Sequence, residues 1–227
     1  MKSCYIINEN HRKFVDICQE LESADSLIGP SLGIVNGAAG RGKTEAAKHF
    51  CAGNGAAYVP PLCIRTPPML LREIAFEHSG VRPVRSEESL RVIGAEMTKN
   101  RRLTVIDEAD LLPMQSLEML RNVSELYNFP ILLIGEDSRL ESKISSRRRL
   151  SSRVRRRLEF SPIGQADVVQ FLRIALDAKV SAEVCAFIHR GCEGNWRPLL
   201  IKAAAIERAL KASGLHEITL DLVKGIG

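Results

Sequence analysis

The sequence predicts an α/β fold: a parallel sheet covered by helices on both faces, followed by a small helical domain. Three observations carry that expectation. Short, largely apolar runs, Leu103 to Ile106 and Ile131 to Ile134, alternate with longer segments of helical spacing. Strands buried on both faces read as continuous apolar runs, and strands separated by helices argue for parallel pairing. A complete Gly-x-x-x-x-Gly-Lys-Thr string stands between one strand and one helix. After Pro162 the strand signal ends and only helical spacing continues.

Taken in order, Phe14, Ile17, Cys18 and Leu21 recur at helical spacing and predict an amphipathic helix near 10–22. Gly33-Ile34-Val35-Asn36 forms the first strand and enters the glycine-rich turn, with a helix from about Lys43. Tyr58-Val59 is a second strand; Pro67 and Pro68 open a helix running to about His78. Ser86 is placed to cap the next helix, which ends near Lys99. The Leu103–Ile106 strand follows, then a helix from about Pro113 to Tyr127, then the Ile131–Ile134 strand. Leu158-Glu159-Phe160 alternates like one more strand. Beyond Pro162, residues 165–177, 181–189, 197–212 and 219–224 read as helices, with Ser181 and Thr219 as caps. The expected domains are 1–162, an α/β core with its N-terminal helix, and 163–227, a helical lid.

Composition narrows the class. Of 227 residues, 45% are hydrophobic and 26% charged, an ordinary soluble balance. No apolar run approaches the roughly 18 residues that would span a membrane, and residues 1–10 lack a secretory pattern. Six scattered cysteines (Cys4, Cys18, Cys51, Cys63, Cys185, Cys192) form no CxxC pair. They predict reduced thiols in a cytoplasmic protein, not a disulfide framework or a zinc site. Net charge is +5, but it is unevenly placed. Between Arg139 and Arg157 stand nine basic residues and one acidic; the rest of the chain has 23 basic and 26 acidic. One segment makes an otherwise mildly acidic chain basic, the asymmetry of a nucleic-acid footprint.

Gly37-Ala38-Ala39-Gly40-Arg41-Gly42-Lys43-Thr44, followed by Glu45, carries the strongest chemistry. Glycines let backbone N–H groups turn around phosphate oxygens, and the following helix adds its positive dipole end. Lys43 is placed for the β- and γ-phosphates and the Thr44 hydroxyl for Mg²⁺. The chain is thus expected to have a P-loop nucleotide-binding fold with ATP and Mg²⁺ as its ligands. Leu103-Thr104-Val105-Ile106-Asp107-Glu108 puts two carboxylates at the C-terminal end of a strand, where open α/β sheets bind ligands. Asp107 would hold Mg²⁺ and Glu108 would polarise a water for attack on the γ-phosphate.

The ordered set GAAGRGKT, VIDEAD, a second apolar strand ending in Gly135-Glu136, Ser152-Arg153, and Gly194-Asn195-Trp196-Arg197 resembles the AAA+ ATPases over nearly the whole chain. Within them, residues 101–140 look like the phage Mu transposition protein B group of DNA-transposition ATPases. The resemblance implies a five-stranded parallel core, a helical lid and assembly of subunits around nucleotide. It also implies ATP-dependent capture of target DNA for a transposase. Arg153 aligns with the arginine finger offered in trans to a neighbour's γ-phosphate, with Arg149 and Arg148 as rivals. Arg197 aligns with the lid arginine called sensor 2. The sensor-1 position, usually Asn, Ser or Thr, falls on Glu136, which puts efficient hydrolysis in question because a carboxylate there repels phosphate. Trp196 is expected to anchor the lid core.

With about 30 residues before the phosphate loop, DNA contacts are expected from the core itself, mainly to phosphates of double-stranded DNA and with little base specificity. Lys99, Arg101, Arg102, Arg147, Arg148, Arg155 and Arg156 are the candidates. The assembly is expected to be a homo-oligomer, ring or filament. A helicase or clamp loader shares every nucleotide motif and is the first alternative; a nucleotide switch with little turnover, favoured by Glu136, is the second.

Overall fold

The computed structural model describes residues 1–23, 32–60, 66–215 and 217–226. It divides into two compact units: residues 10–38 with 43–160, and residues 1–9 with 39–42 and 161–227.

The first unit holds the sheet. Its elements are α1 (Glu9–Ser23), β1 (Leu32–Asn36), α2 (Lys43–Asn54), β2 (Ala57–Val59), α3 (Pro67–Ser79), α4 (Ser86–Lys99) and β3 (Thr104–Ile106). A 3-10 turn at Ala109–Leu111 leads to α5 (Met114–Tyr127), β4 (Ile131–Ile134), α6 (Asp137–Ser145), α7 (Arg148–Ser151) and β5 (Val154–Glu159). Five strands pair in the order β2-β3-β4-β1-β5, every pairing parallel. Alternation along each strand separates two cores, as a period of two requires. Leu32, Ile34, Ile106, Ile131 and Leu133 pack with α3, α4 and α5. Val35, Val105, Leu132 and Ile134 pack on the other face with α1 and α2. There Phe14 meets Phe50 and Phe160 edge to face, each at 6.1 Å. The expected parallel sheet with helices on both faces is therefore present.

Local signals explain the boundaries. The Thr66 hydroxyl accepts from Met69 N, Pro67 and Pro68 open α3, and left-handed Gly80 closes it. Ser86 is the first residue of α4 and not its cap; Arg85 holds that position without a side-chain bond. β5 begins at Val154, four residues before the alternation read at Leu158. It is an edge strand with three consecutive arginines, Arg155 half-buried and Arg156 and Arg157 exposed, so it has no apolar pattern to announce it.

The second unit is mostly helical: α8 (Gln165–Leu176), α9 (Ala182–Arg190), α10 (Trp196–Ser213) and α11 (Leu220–Lys224). Ser181, Asn195 and Thr219 cap the last three through their side chains. Two strands the sequence did not announce, β6 (Lys179–Val180) and β7 (Glu217–Ile218), pair in parallel. At two residues each they are too short to show periodicity. The core is built from Val168, Phe171, Leu172, Cys185, Leu199 and Ile206, and Ile6 belongs to it. Among the described residues no helix is long and apolar enough to cross a membrane. Cys4, Cys18, Cys51, Cys185 and Cys192 are free thiols, all but Cys4 buried. Burial raises the Cys18 and Cys51 pKa values, the latter to about 12. Cys63 lies outside the described residues.

Candidate functional site

Three neighbouring strands of the sheet, β3, β4 and β1, each end in a turn that carries residues of the expected nucleotide site. This is the crevice at carboxyl ends where open α/β sheets hold ligands. After β1 the chain turns at Gly37, whose φ of +145° suits glycine, and a Cβ there would lie 3.0 Å from the Phe160 backbone. Asp137 N donates to Gly37 O at 3.2 Å, and Gly135 N to Val35 O at 3.0 Å. The turn after β4 is thereby fastened to the root of the phosphate loop.

Lys43 opens α2, and its ammonium donates to the Gly37 and Ala38 carbonyls. Burial lowers its pKa, opposed by the negative charges of Glu136, Asp137, Asp107 and Asp110. Thr44 follows half-buried, and exposed Glu45 pairs with Lys48 at 3.8 Å. The beginning of α2 so presents a cation, a hydroxyl and a helix N-terminus together.

Asp107 is 5% exposed at the end of β3. Its Oδ2 accepts from the Tyr58 hydroxyl at 2.8 Å and its Oδ1 from Glu108 N at 2.9 Å. Burial and the neighbouring Asp107 carboxylate both hold the Tyr58 phenol protonated. Glu108 is exposed and left-handed, with φ +48°, an uncommon conformation for a residue with a side chain. Asp110 Oδ1 accepts from Glu136 N at 3.1 Å, while Lys143 donates to the Asp110 and Leu112 carbonyls. The Glu136 carboxylate lies 3.8 Å from the Arg139 guanidinium. Tyr58 and Asp110 were not singled out from sequence. Only the spacing of Asp110 three residues after Asp107 could have hinted at its part.

The basic residues separate into held and exposed groups. Arg101 donates to the Asn128, Glu22 and Leu21 carbonyls, the last two at the end of α1. Arg102 donates to the carbonyls of His78, at 2.7 Å, and Gly55, at 3.4 Å. Arg153 pairs with Glu125 at 2.6 Å, Arg156 with Glu20 at 2.7 Å and Arg157 with Glu141 at 3.0 Å. The Arg153 hydrogen bond lowers the Glu125 pKa. Arg155 is half-buried on β5, whereas Lys99, Arg147, Arg148 and Arg149 are exposed.

In the helical unit, the tip of the phosphate loop, Ala39–Gly42, packs on residues 193–196. Trp196 N donates to Gly40 O at 2.9 Å, Asn195 Nδ2 to Ala39 O at 3.0 Å, and Arg41 to the Glu193 carbonyl at 3.0 Å. Gly40 has φ +77°, and a Cβ on it would collide with the Asn195 amide. Trp196 also stands edge to face with Phe171 at 5.7 Å, as a core anchor would. Arg197, the second residue of α10, is exposed.

Comparison with known proteins agrees with this architecture. A family model described as "AAA domain" matches residues 28–144. A Staphylococcus aureus protein described as a potential ATP-binding protein is 27% identical over 139 residues, 57% of this chain and 51% of that protein. This chain thus spans about half the length of the curated relative it matches. Among solved structures, the Aeropyrum pernix ORC2 protein in its ADPNP and ADP complexes superposes with a TM-score of 0.66 at 14% identity, covering 96% of this chain and 65% of that one. The Aeropyrum pernix ORC1 protein in complex with DNA gives 0.63 at 15%, covering 96% and 63%. The Thermotoga maritima RuvB Holliday junction branch migration motor gives 0.61 at 16%, covering 97% and 68%.

Proposed function

The chain belongs to the AAA domain family, and on that premise we propose that it is an ATP-hydrolysing protein that assembles on double-stranded DNA. The observation that carries the reading is the convergence of the turns after β1, β3 and β4, which groups Lys43, Asp107 and Glu136. Gly37–Thr44 would cradle phosphates and Lys43 would neutralise the β- and γ-oxygens. Thr44 and Asp107 fit a divalent cation: one hydroxyl at a helix start and one carboxylate already oriented by Tyr58 and Glu108 N. Mg²⁺ bound there supplies charge neutralisation on the phosphates. Glu108, exposed beside the oriented Asp107, would polarise the attacking water. Arg153 is the proposed finger for a neighbouring subunit and would exchange its Glu125 partner for phosphate on assembly. Arg197 would report the nucleotide to the helical unit.

For DNA, the exposed Lys99, Arg147, Arg148 and Arg149 would supply phosphate contacts, with Arg155 and Arg156 of the edge strand as further candidates. The finer assignment, delivery of captured target DNA to a transposase, rests on the likeness of residues 101–140 to the Mu transposition protein B group. Glu136 favours a second reading, a nucleotide switch with little turnover; its exposed pairing with Arg139 offsets only part of the repulsion.

The test is co-sedimentation with random-sequence duplex DNA in a slowly hydrolysed ATP analogue or in ADP, alongside phosphate release. We expect pelleting with the analogue alone, lost as salt rises, and turnover abolished in Glu108→Gln with ATP binding kept. Equal behaviour in both nucleotides would remove the ATP-gated assembly. Binding without turnover in the unaltered protein would establish the switch.

A further inference from the structure

The tip of the phosphate loop is gripped by a short stretch of the helical unit, and a single side chain does two jobs there. Asn195 Oδ1 accepts from Arg197 N at 2.8 Å, capping α10, while its Nδ2 donates to Ala39 O at 3.0 Å. With an N–H on one side and a carbonyl on the other, the amide has only one satisfactory orientation. The neighbouring peptide is held as well, because Gly40 O accepts from Trp196 N. In the opposite direction, Arg41 donates to the Glu193 and Gly194 carbonyls, which sit in consecutive left-handed residues with φ +50° and +65°.

A planar trans peptide points its C=O and the following N–H in opposite directions. Fixing the Ala39 and Gly40 carbonyls on residues 195 and 196 therefore aims the N–H groups of Gly40 and Arg41 away from them. Two successive N–H groups held in one sense make the concave donor set that receives an anion. Building on the nucleotide reading above, we infer that Asn195 is a positioning residue that presets the phosphate-loop tip and ties it to the helix carrying Arg197. A loop ordered in advance loses less conformational freedom on binding phosphate.

Trp196 makes the tie visible. It is the single tryptophan of the sequence, and a Cβ placed on Gly42 would lie 3.3 Å from its indole. Indole emission therefore reports the tip with or without nucleotide.

Asn195→Asp separates the two jobs. Aspartate caps a helix as well as asparagine does, but it has no N–H for Ala39 O and sets a carboxylate against that carbonyl. In the full-length protein we expect Asn195→Asp to keep the helix cap, to lower the thermal midpoint less than Asn195→Ala does, and to show altered indole emission without nucleotide. A fluorescent ATP analogue should bind it about tenfold more weakly, the cost of fixing roughly one backbone residue at the moment of binding. Asn195→Ala should lose the cap as well and unfold earlier. Wild-type affinity and wild-type emission in Asn195→Asp would overturn the inference while leaving the nucleotide reading intact. An unaltered protein that binds no ATP analogue, like a Lys43→Ala control, would overturn both.

Discussion

Arg101-Arg102 and Arg147-Arg148-Arg149 look alike in the sequence, and the fold treats them in opposite ways. Arg101 sends its guanidinium to three backbone carbonyls, two of them closing α1, and Arg102 reaches the ends of α2 and α3. Arg147, Arg148 and Arg149 surround the start of α7 and stay exposed. A basic run in a sequence counts charge. How many donors remain for a partner depends on the carbonyls and carboxylates folded around each guanidinium. The first pair is thus tied into the fold, and the trio keeps its donors exposed for the proposed DNA contacts.

Truncation tests that division most severely. Arg101→Ala leaves carbonyls at the end of α1 without their donor and should cost about 2–3 kcal/mol in urea unfolding. Replacing Arg147, Arg148 and Arg149 together by alanine should change stability by less than about 0.5 kcal/mol. Equal losses in the two variants would erase the distinction.

Acid offers a second test on the held side. The His78 ring bonds Thr104 Oγ1 at 2.6 Å in a buried site. Burial first, and then the Arg102 charge, lowers its pKa to about 4. Between that value and about 6.5 the unfolded chain binds more protons than the folded one. The resulting stability is present in full above about pH 6.5 and drains away as pH falls toward 4. Lowering pH from 7 to 5 should cost about 2 kcal/mol through this residue. In His78→Gln that part of the pH slope should vanish; an unchanged slope would mean that another group is responsible.

The smallest effect sharpens the exposed side. Arg148→Ala should weaken duplex binding roughly fivefold and reduce the slope of log affinity against log salt by about 0.9, one phosphate contact. Folding should be untouched. A salt slope identical to wild type would take Arg148 out of the DNA surface.

Much of the sheet was legible because its signals are local. Ile131–Ile134 is a continuous apolar run and Leu103–Ile106 is one but for Thr104, and the fold buries both on both faces as such runs require. The phosphate loop and Asp107 likewise announce themselves by spacing along the chain. β5 was only half legible, since at an edge its Arg155–Arg157 segment pairs with β1 through the backbone and needs no apolar pattern. β6 and β7 were invisible for want of length. The contacts of Tyr58, Asp110 and Asn195 were not legible for a different reason. Asp110 and Asn195 stand in recognisable motifs, but the partners of the three side chains lie 49, 26 and 156 residues away.

By itself, then, the sequence determined the central strands of the main sheet, the glycine loop and the acidic pair, because periodicity and short-range spacing are properties of neighbouring residues. Tertiary structure alone decided which arginines keep free donors and which groups hold the loop at its root and at its tip. Those outcomes depend on hydrogen bonds between residues far apart in the chain, and such bonds exist only once the chain has folded.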